Sequence, residues 1–436
     1  MPVTEPSPVE AAHETEADAP PSIWQDGAFV RVWAAASISY VGSFVTRSAL
    51  PLAAIYGLSA GALELSAIRS VEFVGWLVMG LLAGAWVDRL RRRPVMIVAD
   101  LGRAVVLGSI PIAAVAGVLT LAHLIVASFL AAILSVFFNA ASSAYLPAIV
   151  ARARLVAANS ALAASASVAE FTGFALGGVL VQILTAPIAI AIDAVSFIVS
   201  GALLASIRRP EPARPPVANR EPVLREIREG IAVVAHNPIL RALAFAHAGT
   251  HLLWGVFGAT YLLFATDELA LGPAAIGLIT GIGGLGAFVG AALAGRMVAR
   301  LGAGRTMVLG LAGTAFGSAL IPLAPSGAVV IGALFLIAQQ VIGDAFGVAY
   351  EVVEESVTQA MVDDRVLGRV NATVTFITTV TALAGAIVGG IVGELVGLRA
   401  AFLVGLVGSV AAVLVVWWSP VRHLRTVEEA AQLRIA

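Results

Sequence analysis

Residues 84–94 read GAWVDRLRRRP and place four arginines and one aspartate between two apolar runs. The preceding run covers residues 74–85, and the following run covers residues 95–119, interrupted only by Asp100 and Arg103. A short arginine-rich turn between long apolar runs is typical of a loop on one face of a membrane. The stretch therefore predicts that the segments on both sides of it cross a bilayer.

The composition supports this interpretation and excludes several classes of protein. The 436 residues are 59% hydrophobic and 12% charged, with a mean hydropathy of +0.96, whereas soluble domains carry about 25% charged residues. All basic residues are arginine, and cysteine is absent, which excludes thiolate catalysis, disulfides and cysteine metal sites. The net charge of −1 provides no field that would attract nucleic acid. We expect a polytopic, all-α membrane protein.

The apolar runs repeat from residue 31 to residue 418, each close to the ~20 residues that cross hydrocarbon. The twelve predicted segments are 31–56, 66–87, 95–118, 121–146, 156–183, 187–206, 239–265, 274–297, 306–324, 327–350, 368–393 and 397–418. The predicted domains are a disordered cytoplasmic tail (1–27), an N-terminal six-helix bundle (28–207), a cytoplasmic linker with a short amphipathic helix (208–237), a C-terminal six-helix bundle (238–419) and a cytoplasmic tail (420–436). The acidic first tail lacks the positive start and apolar core of a signal peptide.

The arginines predict the orientation. With a cytoplasmic N-terminus, 23 of the 26 arginines fall in cytoplasmic turns or at cytoplasmic helix ends, as positively charged loops generally do. We therefore expect a multi-pass protein of the cell membrane with both termini in the cytoplasm.

The two halves of the chain resemble each other. A shift of 212 residues places Asn159 on Asn371, and a shift of 211 places Gly84 on Gly295 and Arg89 on Arg300. The first shift also aligns two glycine sets, which are Gly173, Gly177 and Gly178 with Gly385, Gly389 and Gly390. Because six crossings separate each pair, the two halves share one orientation, which predicts a parallel repeat.

The pattern Gly84-x-x-x-Asp88-Arg89-x-x-Arg92-Arg93 resembles the signature of the major facilitator superfamily between its second and third helices. Residues 146–180 and 368–374 resemble the drug-exporter-like branch that includes macrolide and siderophore exporters. The resemblance implies twelve transmembrane helices in two parallel six-helix halves. It also implies that the aspartate accepts hydrogen bonds from the start of the eleventh helix, near residues 368–373, where a helix N-terminus favours a carboxylate.

We therefore predict a conformational latch that joins the two halves. Its members are Gly84, Asp88, Arg89, Arg92, Asp100 and Arg103. The alternative is that the arginines only enforce the topology. Residues 173–178, GFALGG, resemble the antiporter motif of the fifth helix with Phe174 in place of its proline, which favours export. The plain interpretation of both glycine sets is close helix packing.

Ionisable side chains inside the predicted spans are candidates for a substrate and proton cavity, since such groups normally face a cavity or a partner. Arg47 and Glu170 lie near the middle of the first and fifth segments. They are interpreted either as a proton site or as a static ion pair. His247 and His251, four residues apart, share a helix face. Their role is either a proton-sensitive contact or polar packing. Gln340 and Asp344 complete the set in the tenth segment.

Three further groups are placed differently. Asp193 and Glu72 are expected toward the outer face in contact with water. Glu351, Glu354 and Glu355 are expected in a solvated cytoplasmic turn after the tenth segment.

These features predict a secondary transporter that exports a hydrophobic or amphipathic small molecule, such as an antibiotic or siderophore, in exchange for protons by alternating access. We expect a monomer with no cofactor and no metal, driven by the proton gradient; no phosphate-binding loop of the ATPase type is present. The alternative is a proton-coupled importer of a nutrient or metabolite on the same fold. An intramembrane enzyme is disfavoured because no nucleophile–base set occurs within the spans.

Overall fold

The computed structural model describes residues 22–87, 90–209, 211 and 223–433. Long helices dominate this part of the chain, and no strand occurs in it. The helices are α1 (Gly27–Leu58), α2 (Ala62–Val87), α3 (Arg92–Val115), α4 (Leu121–Ile149), α5 (Leu155–Ile183), α6 (Ala186–Ala205), α7 (Val223–His236), α8 (Pro238–Leu263), α9 (Pro273–Leu301), α10 (Ala303–Leu323), α11 (Val329–Met361), α12 (Asp364–Leu395), α13 (Leu398–Trp418) and α14 (Val427–Gln432).

The helices confirm the predicted all-α membrane fold. Within the described residues, 11 helices are long and apolar enough to cross a bilayer, and α2 occupies the remaining predicted span. That helix carries Glu64, Arg69 and Glu72 in its first turns. The stretch predicted as the linker contains α7. One boundary was wrong: α11 continues to Met361, eleven residues beyond the predicted end at residue 350.

The two halves, α1–α6 and α8–α13, repeat one packing scheme. In the first half α1 packs against α5 and α6, α2 against α4, and α3 against α6. In the second half α8 packs against α12 and α13, α9 against α11, and α10 against α13. This correspondence confirms the parallel repeat that the glycine spacing predicted, because each helix finds the same neighbours in both halves.

The halves meet mainly through two helix pairs, α5 with α9 and α2 with α12, and α8 also contacts α2. Gly178 of α5 lies against Gly277 of α9, where a side chain on either residue would come within 2.8 Å of the other's Cα. Gly390 of α12 lies against Ser66 of α2 in the same way. Small residues allow this approach. Both contacts lie near the ends of α5 and α12 that are remote from the predicted cytoplasmic side, which we call the opposite face.

Toward the other end of the helices, which we call the arginine-rich face because Arg92, Arg152 and Arg209 lie there, the halves diverge. Ser160 and Ser167 share the face of α5 that carries Gly178, yet both are exposed. Thr375 of α12 is exposed as well. On a face that meets the other half farther along the helix, an exposed residue indicates that the other half no longer packs against it. The space between the halves therefore opens toward the arginine-rich face.

Candidate functional site

Arg47 and Glu170 lie on neighbouring helices of the first half and face the space between the halves. Arg47 of α1 and Glu170 of α5 are both exposed, although each lies well inside its span. They are close enough to interact electrostatically, and Arg47 also interacts with Arg69 and Glu72 of α2. Its guanidinium lies over the ring of Phe44, 5.1 Å from the ring centroid. Since a charge is not exposed to hydrocarbon at such depth, these side chains line a cavity.

The second half contributes Asp344 of α11 to the same cavity. Glu170 and Asp344 interact electrostatically although they belong to different halves. Gly283 of α9 lies against the Asp344 carboxylate and the Gln340 amide, where a side chain would collide with both. Gln340 Nε2 donates a hydrogen bond of 3.1 Å to the Thr280 carbonyl. In the described part of the chain, neither carboxylate takes part in a hydrogen bond or an ion pair.

His247 contacts an acidic residue that was expected in a solvated turn. His247 Nε2 lies 3.1 Å from Oε2 of Glu354, which is buried on α11 and also accepts a hydrogen bond of 2.9 Å from Thr358 Oγ1. The expected solvated turn is therefore wrong for Glu354, because α11 continues through it. His251 donates from Nδ1 to the His247 carbonyl over 3.0 Å, so the two histidines form one local unit.

Glu351 is the other residue that sequence reasoning placed elsewhere. It is exposed on α11 and interacts electrostatically with His247 and with Glu170 across the cavity. The signal was present in the sequence, since residues 344 and 351 are seven apart and share a helix face. The cavity thus holds more carboxylates than cations, which makes it electronegative.

Asp100 and Arg103 lie away from this cavity, inside the first half. Arg103 donates a hydrogen bond to Asp100, and Ser200 Oγ of α6 donates to the other carboxylate oxygen over 2.7 Å. The guanidinium lies between two rings, 4.5 Å from the centroid of Phe138 and 4.1 Å from that of Phe197. These contacts join α3 to α4 and α6, all within one half.

The remaining predicted latch residues lie at the turn between α2 and α3. Gly84 belongs to α2, whereas Asp88 and Arg89 lie outside the described residues. The backbone N–H of Arg92 donates to both carboxylate oxygens of Glu211 in the linker, over 3.1 and 3.0 Å. A carboxylate at the first turn of α3 is favourable for the helix dipole.

The start of α12, where the latch aspartate is expected to bind, is covered by the linker helix α7. Arg369 forms an ion pair with Glu229 of α7. A side chain at Gly230 would collide with Thr373 Oγ1 and the Arg369 carbonyl. The latch stays a prediction, and the linker is the element that contacts this region in the described structure.

The glycine sets lie at equivalent contacts in the two halves. Gly173 and Gly177 of α5 lie against α1, and Gly385 and Gly389 of α12 lie against α8. The third member of each set, Gly178 or Gly390, faces the other half. Each set therefore joins one helix to its own half and to the partner half.

Residues 19–435 match the family model described as transmembrane secretion effector, within the major facilitator superfamily. The chain belongs to this superfamily. Among curated relatives, the multidrug efflux pump Tap of Mycolicibacterium fortuitum is 28% identical over 333 residues, 74% of this chain and 78% of Tap. An uncharacterized MFS-type transporter of Sinorhizobium fredii, y4rN, is 30% identical over 174 residues; the match spans 39% of this chain and 42% of that protein.

Solved transporter structures share the fold. A mutant of the nucleoside transporter NupG has a TM-score of 0.75 at 12% identity, covering 89% of this chain and 99% of NupG. A bacterial homologue of the iron transporter ferroportin, in an inward-facing state, has a TM-score of 0.68 at 17% identity, covering 89% and 98%. At these identities the similarity establishes the fold and leaves the substrate open.

Proposed function

We propose that this superfamily member is a monomeric, proton-coupled exporter of amphipathic small molecules that carry positive charge. It would need no cofactor and would perform no covalent chemistry. The observation that carries the proposal is the pair Glu170 and Asp344, one carboxylate from each half, which share a cavity without ion-pair partners among the described residues.

Two such carboxylates suit an exchange of protons for a cation. A carboxylate in a partly dehydrated cavity is stabilised either by taking a proton or by binding a positive group. The two ligands therefore compete for the same charge. Substrate that binds from one side releases protons, and protons that arrive from the other side release substrate.

The surroundings of the pair support a cationic substrate. Glu351 and Glu354 of α11 add negative charge to the surroundings of the pair. The positive charge there comes from Arg47 and, when protonated, from His247, which pairs with Glu354. Exposed apolar residues beside Glu170, such as Phe171 at 38% exposure, offer the apolar contact that an amphipathic molecule requires. The negative charges of the cavity carboxylates repel an anionic substrate.

The direction of transport rests on two supports. Arginine-rich loops generally stay in the cytoplasm, so the open arginine-rich face would admit substrate from inside the cell. The relative Tap is an efflux pump by name. An importer on the same fold is the alternative.

The proposal is tested with the purified full chain in proteoliposomes that contain a pH-sensitive dye. Ethidium serves as the cationic amphipathic probe. We expect ethidium to drive proton movement in wild type. Glu170→Gln and Asp344→Asn should each lower that movement by about tenfold or more, since about 1.4 kcal/mol of lost charge interaction has that effect.

The matched control is Glu355→Gln, which changes an exposed carboxylate on the same helix as Asp344; it should transport as wild type does. Unchanged proton coupling in both cavity variants would refute the proposal. Ethidium accumulation in intact cells that express the protein, rather than depletion, would establish import instead of export.

A further inference from the structure

A second polar site is buried in the first half, behind the wall of the cavity. Helix α6 places Asp193, Ser196 and Ser200 on one face, at spacings of three and four residues. Asp100 and Arg103 of α3 and Thr46 of α1 face this stripe. Asp193 was expected near water at the outer face. It is fully buried instead, because α1 and α3 pack over α6.

Asp193 has only part of the hydrogen bonding that a buried carboxylate needs. The residue is 0% exposed. Its Oδ1 accepts a hydrogen bond of 3.0 Å from Ser196 Oγ, whereas Oδ2 has no partner in the described structure. Gly42 of α1 leaves the room for this group, since a side chain there would collide with Asp193 Oδ1 and Ser196 Oγ.

The nearby charges do not neutralise Asp193. The charged groups that act on it are Arg103 and Asp100, both from α3. Arg103 is already bonded to Asp100 and enclosed by two aromatic rings. From α1 and α5, Arg47 and Glu170 interact across the cavity instead. The buried cluster therefore holds two carboxyl groups and one guanidinium.

A carboxylate buried without a counter-ion costs several kcal/mol, and in proteins such a group takes up a proton instead. We propose that Asp193 is a second proton-binding site, which carries its proton on Oδ2 as a neutral acid. The Thr46 hydroxyl lies beside this carboxyl, although neither Thr46 Oγ1 nor Asp193 Oδ2 makes a hydrogen bond of regular geometry. A hydroxyl donates or accepts, so Thr46 Oγ1 can accept the hydrogen bond of a proton on Oδ2.

The position of the site suggests how its proton bears on transport. Thr46 precedes Arg47, so α1 presents one residue to the buried site and the next to the cavity. The bound proton keeps the contact of α1 with α6 free of net charge in the state described here. The site is separate from the carboxylate pair of the cavity, and its test needs neither a transported substrate nor a proton gradient.

The test is infrared spectroscopy of the purified full chain in lipid at neutral pH. Wild type should show the C=O stretching band of a protonated, buried carboxyl group, and Asp193→Asn should remove that component. Ser196→Ala, which removes the hydrogen bond to Oδ1, should shift the band without abolishing it. Glu355→Gln should leave the band unchanged. Elution of each variant as wild type in size exclusion establishes that it is folded.

Two outcomes would overturn the proposal. The first is a spectrum in which Asp193→Asn removes no protonated-carboxyl component and Ser196→Ala shifts none. The second is a wild-type band that disappears as sodium chloride replaces choline chloride at constant pH, which would assign the site to an alkali cation.

Discussion

Ionisable side chains within the spans fall into two groups, which differ in their exposure: some line the cavity and others are buried. Arg47 and Glu170 are exposed to the cavity and stay available to a ligand. Asp100 and Arg103 are buried, at 0% and 5% exposure, and form an ion pair with each other. The pair lies on α3 and is connected to α6 and α4 by the Ser200 hydroxyl and the rings of Phe197 and Phe138. Either partner alone would be an uncompensated charge in a medium of low dielectric constant.

This difference gives a prediction for the buried pair. Arg103→Leu should destabilise the protein by about 3–5 kcal/mol, since it leaves Asp100 buried without its partner. The measurement is thermal unfolding of the purified protein in detergent.

The double variant Asp100→Leu with Arg103→Leu is the matched control. It should recover most of the loss, because two apolar residues leave no buried charge. A double variant as unstable as the single one would contradict this account of the pair.

At the scale of elements, glycines determine how closely the halves approach. Gly277 of α9 lies against the Phe174 carbonyl and Gly178 of α5. A methyl group at Gly295, on the same helix, would have no neighbouring atom within 4 Å. The two positions therefore separate the effect of a methyl group on helix packing from its effect on helix propensity.

We predict that Gly277→Ala weakens the contact at the opposite face, because the added methyl group meets backbone atoms that cannot rotate away. Overpacking of this kind costs about 1–3 kcal/mol. Because the chain has no cysteine, Ser66→Cys, buried between α2 and α12, serves as a single reporter for thiol labelling.

Labelling of that reporter should be faster in Gly277→Ala and unchanged in Gly295→Ala. Equal labelling in the two variants would show that the α5–α9 contact does not control the opposite face.

At the scale of the whole molecule, two similar halves around one cavity predict rocking motions of opposite sign at the two faces. The repeat supplies matched positions for spin labels, since a shift of 212 residues relates Asn159 to Asn371 and Leu184 to Val396. The first pair is exposed toward the arginine-rich face and the second toward the opposite face.

Cysteine-linked spin labels are placed at each pair, and the pH is lowered through the range in which the cavity carboxylates take up protons. We expect the Asn159–Asn371 distance to shorten and the Leu184–Val396 distance to lengthen. Double electron–electron resonance measures both distances. Changes of the same sign in the two pairs would contradict rocking about the cavity. The latch at Asp88 belongs to the same scale and stays a prediction, since that residue lies outside the described part.

Much of the fold followed from local patterns. The apolar runs, the arginine-rich turns and the repeated glycines predicted the helices, the two halves and their parallel relation, because each pattern reports how a segment meets lipid or a neighbouring helix. The sequence also singled out Arg47, Glu170 and Asp344 as cavity candidates, since ionisable groups are rare within spans, and their role in transport stays a prediction. Glu351 and Glu354 were missed because helix α11 extends past its apolar run.

The sequence by itself determined that this chain spans a membrane with two related helical halves, because hydrocarbon leaves a backbone few other solutions. Only the tertiary structure decided which charged groups are buried and which of them find partners on another helix. It enclosed Asp193 and the Asp100–Arg103 pair of α3, left Arg47 and Glu170 exposed in the cavity, and paired His247 of α8 with Glu354 of α11. Those pairings depend on which helix faces pack together, and spacing along one helix does not specify its neighbours.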